Sequence, residues 1–159
     1  MSNKLIKLRE LMRTNNIDLL VLGPGTHMRW LLGFNPYPDE RPCMLLIGKE
    51  KEAFLMPSVN AEDARKRSDI AINSWKDENG PDQALKEALL YIGESTAKHI
   101  AIDEAMRSHF ALIVIEALPS PTYEFTGSTI GALRMRKDQA EFINLKENAL
   151  IDDRAMQAG

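Results

Sequence analysis

The chain alternates short apolar runs with amphipathic stretches, and the period of each pattern separates helix from strand. Residues 3–15 put Leu5, Leu8, Leu11 and Met12 on one face, with Lys4, Lys7, Arg9, Glu10 and Arg13 elsewhere, the spacing of an amphipathic helix. Asn15-Asn16 ends it, because Asn tolerates the left-handed cap conformation. Ile17-Asp-Leu-Leu-Val-Leu reads as a buried strand stopped by Gly23-Pro-Gly. Thr26 is the expected cap of a two-turn helix from His27 that Gly33 closes. After the proline-rich loop Asn35 to Pro42 come two strands, Cys43-Met-Leu-Leu-Ile and Glu52-Ala-Phe-Leu-Met-Pro. Gly48-Lys-Glu-Lys between them predicts an antiparallel hairpin.

Ser58 or Asn60 is placed to cap a short helix through Arg67, and the alternation in Asp69 to Trp75 predicts a strand near a sheet edge. Gly80-Pro81 opens a helix that turns Ala84, Leu85, Ala88, Leu89 and Ile92 inward and ends at Gly93. Lys98-His-Ile-Ala-Ile-Asp103 is another strand. Met106 to Leu118 form a helix with Phe110, Ile113, Val114 and Leu118 at helical spacing, and Tyr123-Glu-Phe is a last short strand. Ser128 or Thr129 begins the turn into Leu133-Arg134. From Asp138 the pattern is again helical, with Phe142, Leu145, Ala149, Ile151 or Asp152, and Ala155 near one face. Asp138 and Glu141 stand three apart, the spacing of a capping box. The helix runs to the last residues, as expected of a connector to a further domain. Helices alternating with strands around one hairpin predict an α/β fold: three layers, a mixed sheet flanked by helices.

Composition narrows the class. A length of 159 residues suits one core, and 44% hydrophobic with 27% charged residues is ordinary for a globular protein. A net charge of −3 with mixed signs gives no case for nucleic acid or a membrane surface. The single cysteine, Cys43, has no internal disulfide partner and fits a reducing, cytoplasmic setting.

Three stretches resemble the creatinase, prolidase and aminopeptidase P family. Leu133-Arg134-x-Arg136-Lys137, followed by Glu141, Lys146, Ala149 and Asp153, is similar to the segment joining that family's two domains. Met28-x-Trp30-Leu31-x-Gly33-Phe34 resembles its aliphatic-x-aromatic-Leu-x-Gly-aromatic motif, with His27 where the family usually has Asn. Ile100-Ala-Ile-Asp103, a helix, Leu118-Pro119, a short strand and Leu133-Arg134 repeat a third pattern of the family. The resemblance implies an N-terminal domain over residues 1–132, with 133–159 as linker and first helix of a pita-bread catalytic domain. It further implies a homodimer, and two divalent ions (Mn, Zn or Co) held by two Asp, one His and two Glu in that following domain.

Chemistry within the chain itself is sparse. His27, His99 and His109 are far apart and match no metal-ligand spacing, so each reads as a structural or surface histidine. Asp152-Asp153 are adjacent helical positions that do not face each other. Cys43 lacks a nearby base and reads as a packed thiol. Asp103-Glu104 suits a strand end and helix start. Gly23-Pro24-Gly25-Thr26 lacks the Gly-x-x-x-x-Gly-Lys-Ser/Thr spacing, which argues against a phosphate binder. The loop stretch Trp30 to Arg41 is different: it gathers Trp30, Phe34, Tyr37, Asp39, Glu40 and Arg41. Aromatic faces beside a guanidinium suit recognition of a carboxylate or a ring. The resemblance implies that Arg41, with Trp30 and Tyr37, touches substrate across a dimer; the plain alternative pairs Arg41 with Glu40 or Asp39 at the surface. Two functional readings follow, a non-catalytic domain of a metallo-hydrolase and a stand-alone protein-interaction module.

Overall fold

The computed structural model describes residues 3–158. Among these residues, six strands form one sheet: β1 (Leu19–Leu22), β2 (Met44–Ile47), β3 (Glu52–Pro57), β4 (Ala71–Trp75), β5 (His99–Ile102) and β6 (Thr122–Phe125). They lie in the order β4-β3-β2-β1-β5-β6. β2 is antiparallel to both β1 and β3, whereas β1–β5, β3–β4 and β5–β6 are parallel pairs. β2 therefore runs against the rest because a hairpin, not a crossover, joins it to β3. Gly48 N–H bonds the Lys51 carbonyl at 2.8 Å to close that turn. A Cβ on Gly48 would lie 2.8 Å from Glu94 Cγ, so glycine is needed there for close approach.

Among the described residues, seven α-helices accompany the sheet: α1 (Asn3–Thr14), α2 (Thr26–Leu32), α3 (Ser58–Arg67), α4 (Asp82–Ile92), α5 (Ser108–Ala117), α6 (Ile130–Met135) and α7 (Gln139–Ala158). Strand alternation splits the core in two. Leu19 and Val21 of β1 face α4 and α5, packing with Leu85, Leu89, Phe110 and Val114. Leu20 and Leu22 face the other way, against Leu5, Leu8 and Met12 of α1 and Met28 and Leu31 of α2. The result is the expected three-layer α/β sandwich with a mixed sheet.

Local signals explain most boundaries. Asn16 takes φ 55° after α1, and Gly33 and Gly93 take φ 81° and 83° after α2 and α4. β4 is an edge strand as its alternation suggested. The expected side-chain caps of α2 and α3 are corrected. Gly25 precedes α2 and Pro57 precedes α3, neither helix has a side-chain cap bond, and Thr26 and Ser58 are already helical. Thr26 instead turns its hydroxyl toward Arg134 of α6.

Candidate functional site

Parallel pairing brings the carboxyl ends of β1, β5 and β6 together, the end where α/β sheets gather polar groups. β1 leads into α2, which supplies His27; β5 is followed by Asp103-Glu104, and β6 by Thr126. His27, Asp103 and Glu104 present ligand-type atoms within 4.8 Å of one another. These residues are up to 77 positions apart in the chain, so single-sequence spacing hid the cluster. It becomes visible only when β1 and β5 pair, an adjacency that no local pattern states.

The hydrogen bonds fix the protons. Arg134 Nη1 donates to His27 Nδ1 at 2.9 Å and to Thr26 Oγ1 at 3.1 Å. A ring nitrogen that accepts from a guanidinium carries no proton, so the one proton of neutral His27 sits on Nε2. Nε2 points at Thr126 Oγ1, 3.4 Å away, and at Glu104 Oε1, 3.5 Å away. The Thr126 hydroxyl in turn donates to Glu104 Oε2 at 2.6 Å. Burial raises the Glu104 carboxyl, but the Thr126 hydroxyl and the His27 ring outweigh it and hold it below its usual range. Asp103 is 3% exposed, and burial pushes it up against the bond from the Ala105 N–H.

This arrangement does not fit a metal ion. Nδ1 of His27 is held by the Arg134 cation, whereas a metal-bound imidazole donates its second N–H to an acceptor. The cluster is a polar clamp between α2, β5, β6 and α6.

A second contact lies one helical turn along α2. Trp30 Nε1 donates to Glu141 Oε1, and Lys4 sits 4.2 Å from the centroid of the Trp30 ring. Glu141 belongs to the predicted capping box: Glu141 N–H bonds Asp138 Oδ1 at 2.8 Å, and Asp138 N–H bonds Glu141 Oε2 at 3.1 Å. The bond from the Asp138 N–H, helped by Trp30, holds the Glu141 carboxyl below its ordinary value.

Trp30, Tyr37 and Arg41 do not share one site. Trp30 lies against the α6–α7 junction; Tyr37, 79% exposed, borders a hollow with Val59 and Asp63 of α3. Arg41 forks onto Asp77, with Nε to Oδ1 and Nη2 to Oδ2 both at 3.0 Å, and adds Glu40 at 3.4 Å. Asp77 raises the guanidinium further and is itself held low. The loop is fastened elsewhere too: Arg107 bonds the Asp39 carbonyl at 2.8 Å, His109 the Glu40 carbonyl at 3.2 Å, and Trp75 the Pro42 carbonyl at 2.9 Å. His99 reaches Glu124 across β5 and β6 at 3.3 Å. Cys43 is buried, its thiol pushed up to about 12 by burial, the packed thiol anticipated from its surroundings.

A mixed six-stranded sheet in this order, flanked by helices, defines a class: a small three-layer α/β domain followed by a further helix. The sequence matches the Creatinase/Prolidase N-terminal domain family over residues 4–136, and the chain belongs to that family. No curated protein matches it. A dipeptidase structure from Pyrococcus horikoshii OT3 is 26% identical, with TM-score 0.73, over 86% of this chain and 38% of its own. A recombinant prolidase from Thermococcus sibiricus matches at 19% identity and TM-score 0.83, over 99% of this chain and 44% of its own. The creatinase/prolidase N-terminal domain of an X-Pro dipeptidase from Streptococcus pyogenes matches at 18% identity and TM-score 0.70, over 78% of this chain and 94% of its own. The chain thus spans 38% and 44% of the lengths of the first two structures. Among the described residues, no helix is long and apolar enough to cross a membrane.

Proposed function

We propose that this chain is the non-catalytic N-terminal part of an Xaa-Pro dipeptidase-type metallo-hydrolase, shaping access to the active site and contributing to a homodimer in the cytoplasm. Residues 1–132 form the domain, and 133–159 the linker and first helix of the catalytic half. The observation that carries this is α7: its start is fastened to the domain, yet none of its residues is buried. A helix with bare apolar residues and an anchored root fits one that a following domain covers. The resemblance assigns two divalent ions (Mn, Zn or Co) to that domain. In this reading Arg41 exchanges Asp77 for a substrate carboxylate of the partner's active site.

The test has two arms. The purified chain is expected to show no Xaa-Pro dipeptide cleavage and no thermal shift with Mn²⁺ or Zn²⁺, whereas the longer protein cleaves. Metal-dependent cleavage by this chain alone refutes the reading. In the longer protein, Arg41→Ala is expected to raise KM roughly ten- to a hundredfold with an unchanged melt. Unaltered kinetics returns Arg41 to its partnership with Asp77. The bare α7 also suits a stand-alone interaction module, and absence of metal-dependent activity in the longer protein would favour that second reading.

A further inference from the structure

The polar clamp leaves one side of Arg134 unused. Its Nη1 serves both Thr26 Oγ1 and His27 Nδ1, two neutral acceptors that hold the guanidinium still. Among the described residues, its Nε and Nη2 have no hydrogen-bond partner, and no carboxylate lies within ion-pair distance of it. Those two nitrogens form the edge of the guanidinium that takes both oxygens of one carboxylate. Three residues on, the Lys137 ammonium also bonds only a neutral group, the Arg134 carbonyl.

Both cations line one hollow of about 370 Å³ between α2, α6 and the start of α7, together with His27, Trp30, Met135 and Glu141. Glu141 is the carboxylate in that wall, and it is already engaged by Trp30 Nε1, the Asp138 N–H and Lys4. The hollow therefore holds two cations without anionic partners, one of them half-buried and fixed in orientation. Half-buried charges are ordinarily paired, because burial without a partner is costly. Trp30 and the exposed Met135 give the same hollow an apolar wall.

We propose that this hollow is a carboxylate-binding site, in which the Nε/Nη2 edge of Arg134 grips both oxygens, Lys137 adds charge, and Trp30 and Met135 meet the carbon skeleton. The proposal stands on this chain's geometry and does not depend on which reaction a longer protein performs. The carboxylate comes either from an Asp or Glu side chain of polypeptide following this chain or from a free small acid.

The test titrates the ¹⁵N-labelled chain with sodium succinate against sodium chloride at matched ionic strength. The Arg134 Nε–Hε signal and the fluorescence of Trp30 report the site, and the buried Trp75 serves as reference. A saturable shift with succinate is expected, lost in Arg134→Gln and weakened severalfold or more in Lys137→Gln, whose site is exposed and leaves folding untouched. A response that tracks ionic strength alone, or that survives unchanged in both variants, overturns the proposal. Tighter binding of inorganic phosphate than of succinate overturns the carboxylate assignment. Repeating the titration on the longer protein separates the sources. A site already closed to succinate there, with the Nε signal at its bound position, assigns the carboxylate to the following polypeptide; continued binding assigns it to a free acid.

Discussion

Helix α4 buries Ala84, Leu85, Ala88, Leu89 and Ile92 in 11 residues, whereas α7 has 20 residues and buries none of them. Both sequences carry apolar residues in number, so hydrophobicity alone does not separate them. Arrangement does. In α4 the apolar positions fall into one stripe that fits the groove over β2, β3 and β4. In α7, Phe142, Ile143, Leu145, Leu150, Ile151 and Met156 are all about half or more exposed, and at 3.6 residues per turn they spread around most of the helix. A single surface cannot cover such a distribution. The comparison teaches that α4 is shaped for this domain and α7 for surroundings on more than one side.

The largest expected effect tests the α4 side. Leu89→Ala should destabilise the chain by about 2–5 kcal/mol through the cavity it leaves. Chemical denaturation measures this directly, and a loss under about 1 kcal/mol would mean α4 is not the packed partner described. Next comes the root of α7. Asp138→Ala removes the acceptor for the Glu141 N–H and should cost about 1 kcal/mol of helix stability there. It should appear as lost helicity and faster amide exchange at 139–142, with the main melting transition in place.

A pH titration sharpens the contrast at two glutamates. Burial raises Glu94, just beyond α4, so its folded value lies above the unfolded one; the stability it contributes grows as pH falls through that folded value. Glu94→Gln should thus differ most from the parent at neutral pH, in the direction of greater stability, and converge with it in acid. Glu141 is depressed, so its contribution is fully present above the ordinary value of 4.5 and is lost as pH falls below it through the folded value. Protection of the Asp138 amide should decline over that lower window, and a protection that rose in acid would contradict the cap. The smallest effect is the sharpest. Leu150→Ala in α7 should change stability by no more than about 0.5 kcal/mol in this chain. A loss comparable to that of Leu89→Ala would show α7 packed on the domain and erase the comparison.

Elements governed by neighbours in sequence were legible. Gly80-Pro81 and Gly93 bracket α4, Gly48 marks the hairpin, and Asp138 with Glu141 form their box as spaced. The strand order was not, because pairing between strands is decided by which faces pack, not by local pattern. The same physics hid the partners of single side chains. Arg41 meets Glu40 and Asp39 as expected, at 3.4 and 3.9 Å, but its fork closes on Asp77, 36 residues away. His27 and Thr126 meet across 99 residues, after three crossovers have returned the chain to the same end of the sheet. Thr26 had the residue type of a cap, yet its hydroxyl found a guanidinium from α6.

The two contacts that α2 makes with the junction also define a lever. His27 holds Arg134 before the bend, and Trp30 holds Glu141 after it. Along α2 those footholds are three residues apart, about 4.5 Å, while α7 extends about 26 Å beyond them. With so short a base, a slip of about 1 Å at either foothold swings the far end of α7 by roughly 6 Å. Small changes at His27 or Trp30 are thereby magnified into large displacements of whatever α7 carries.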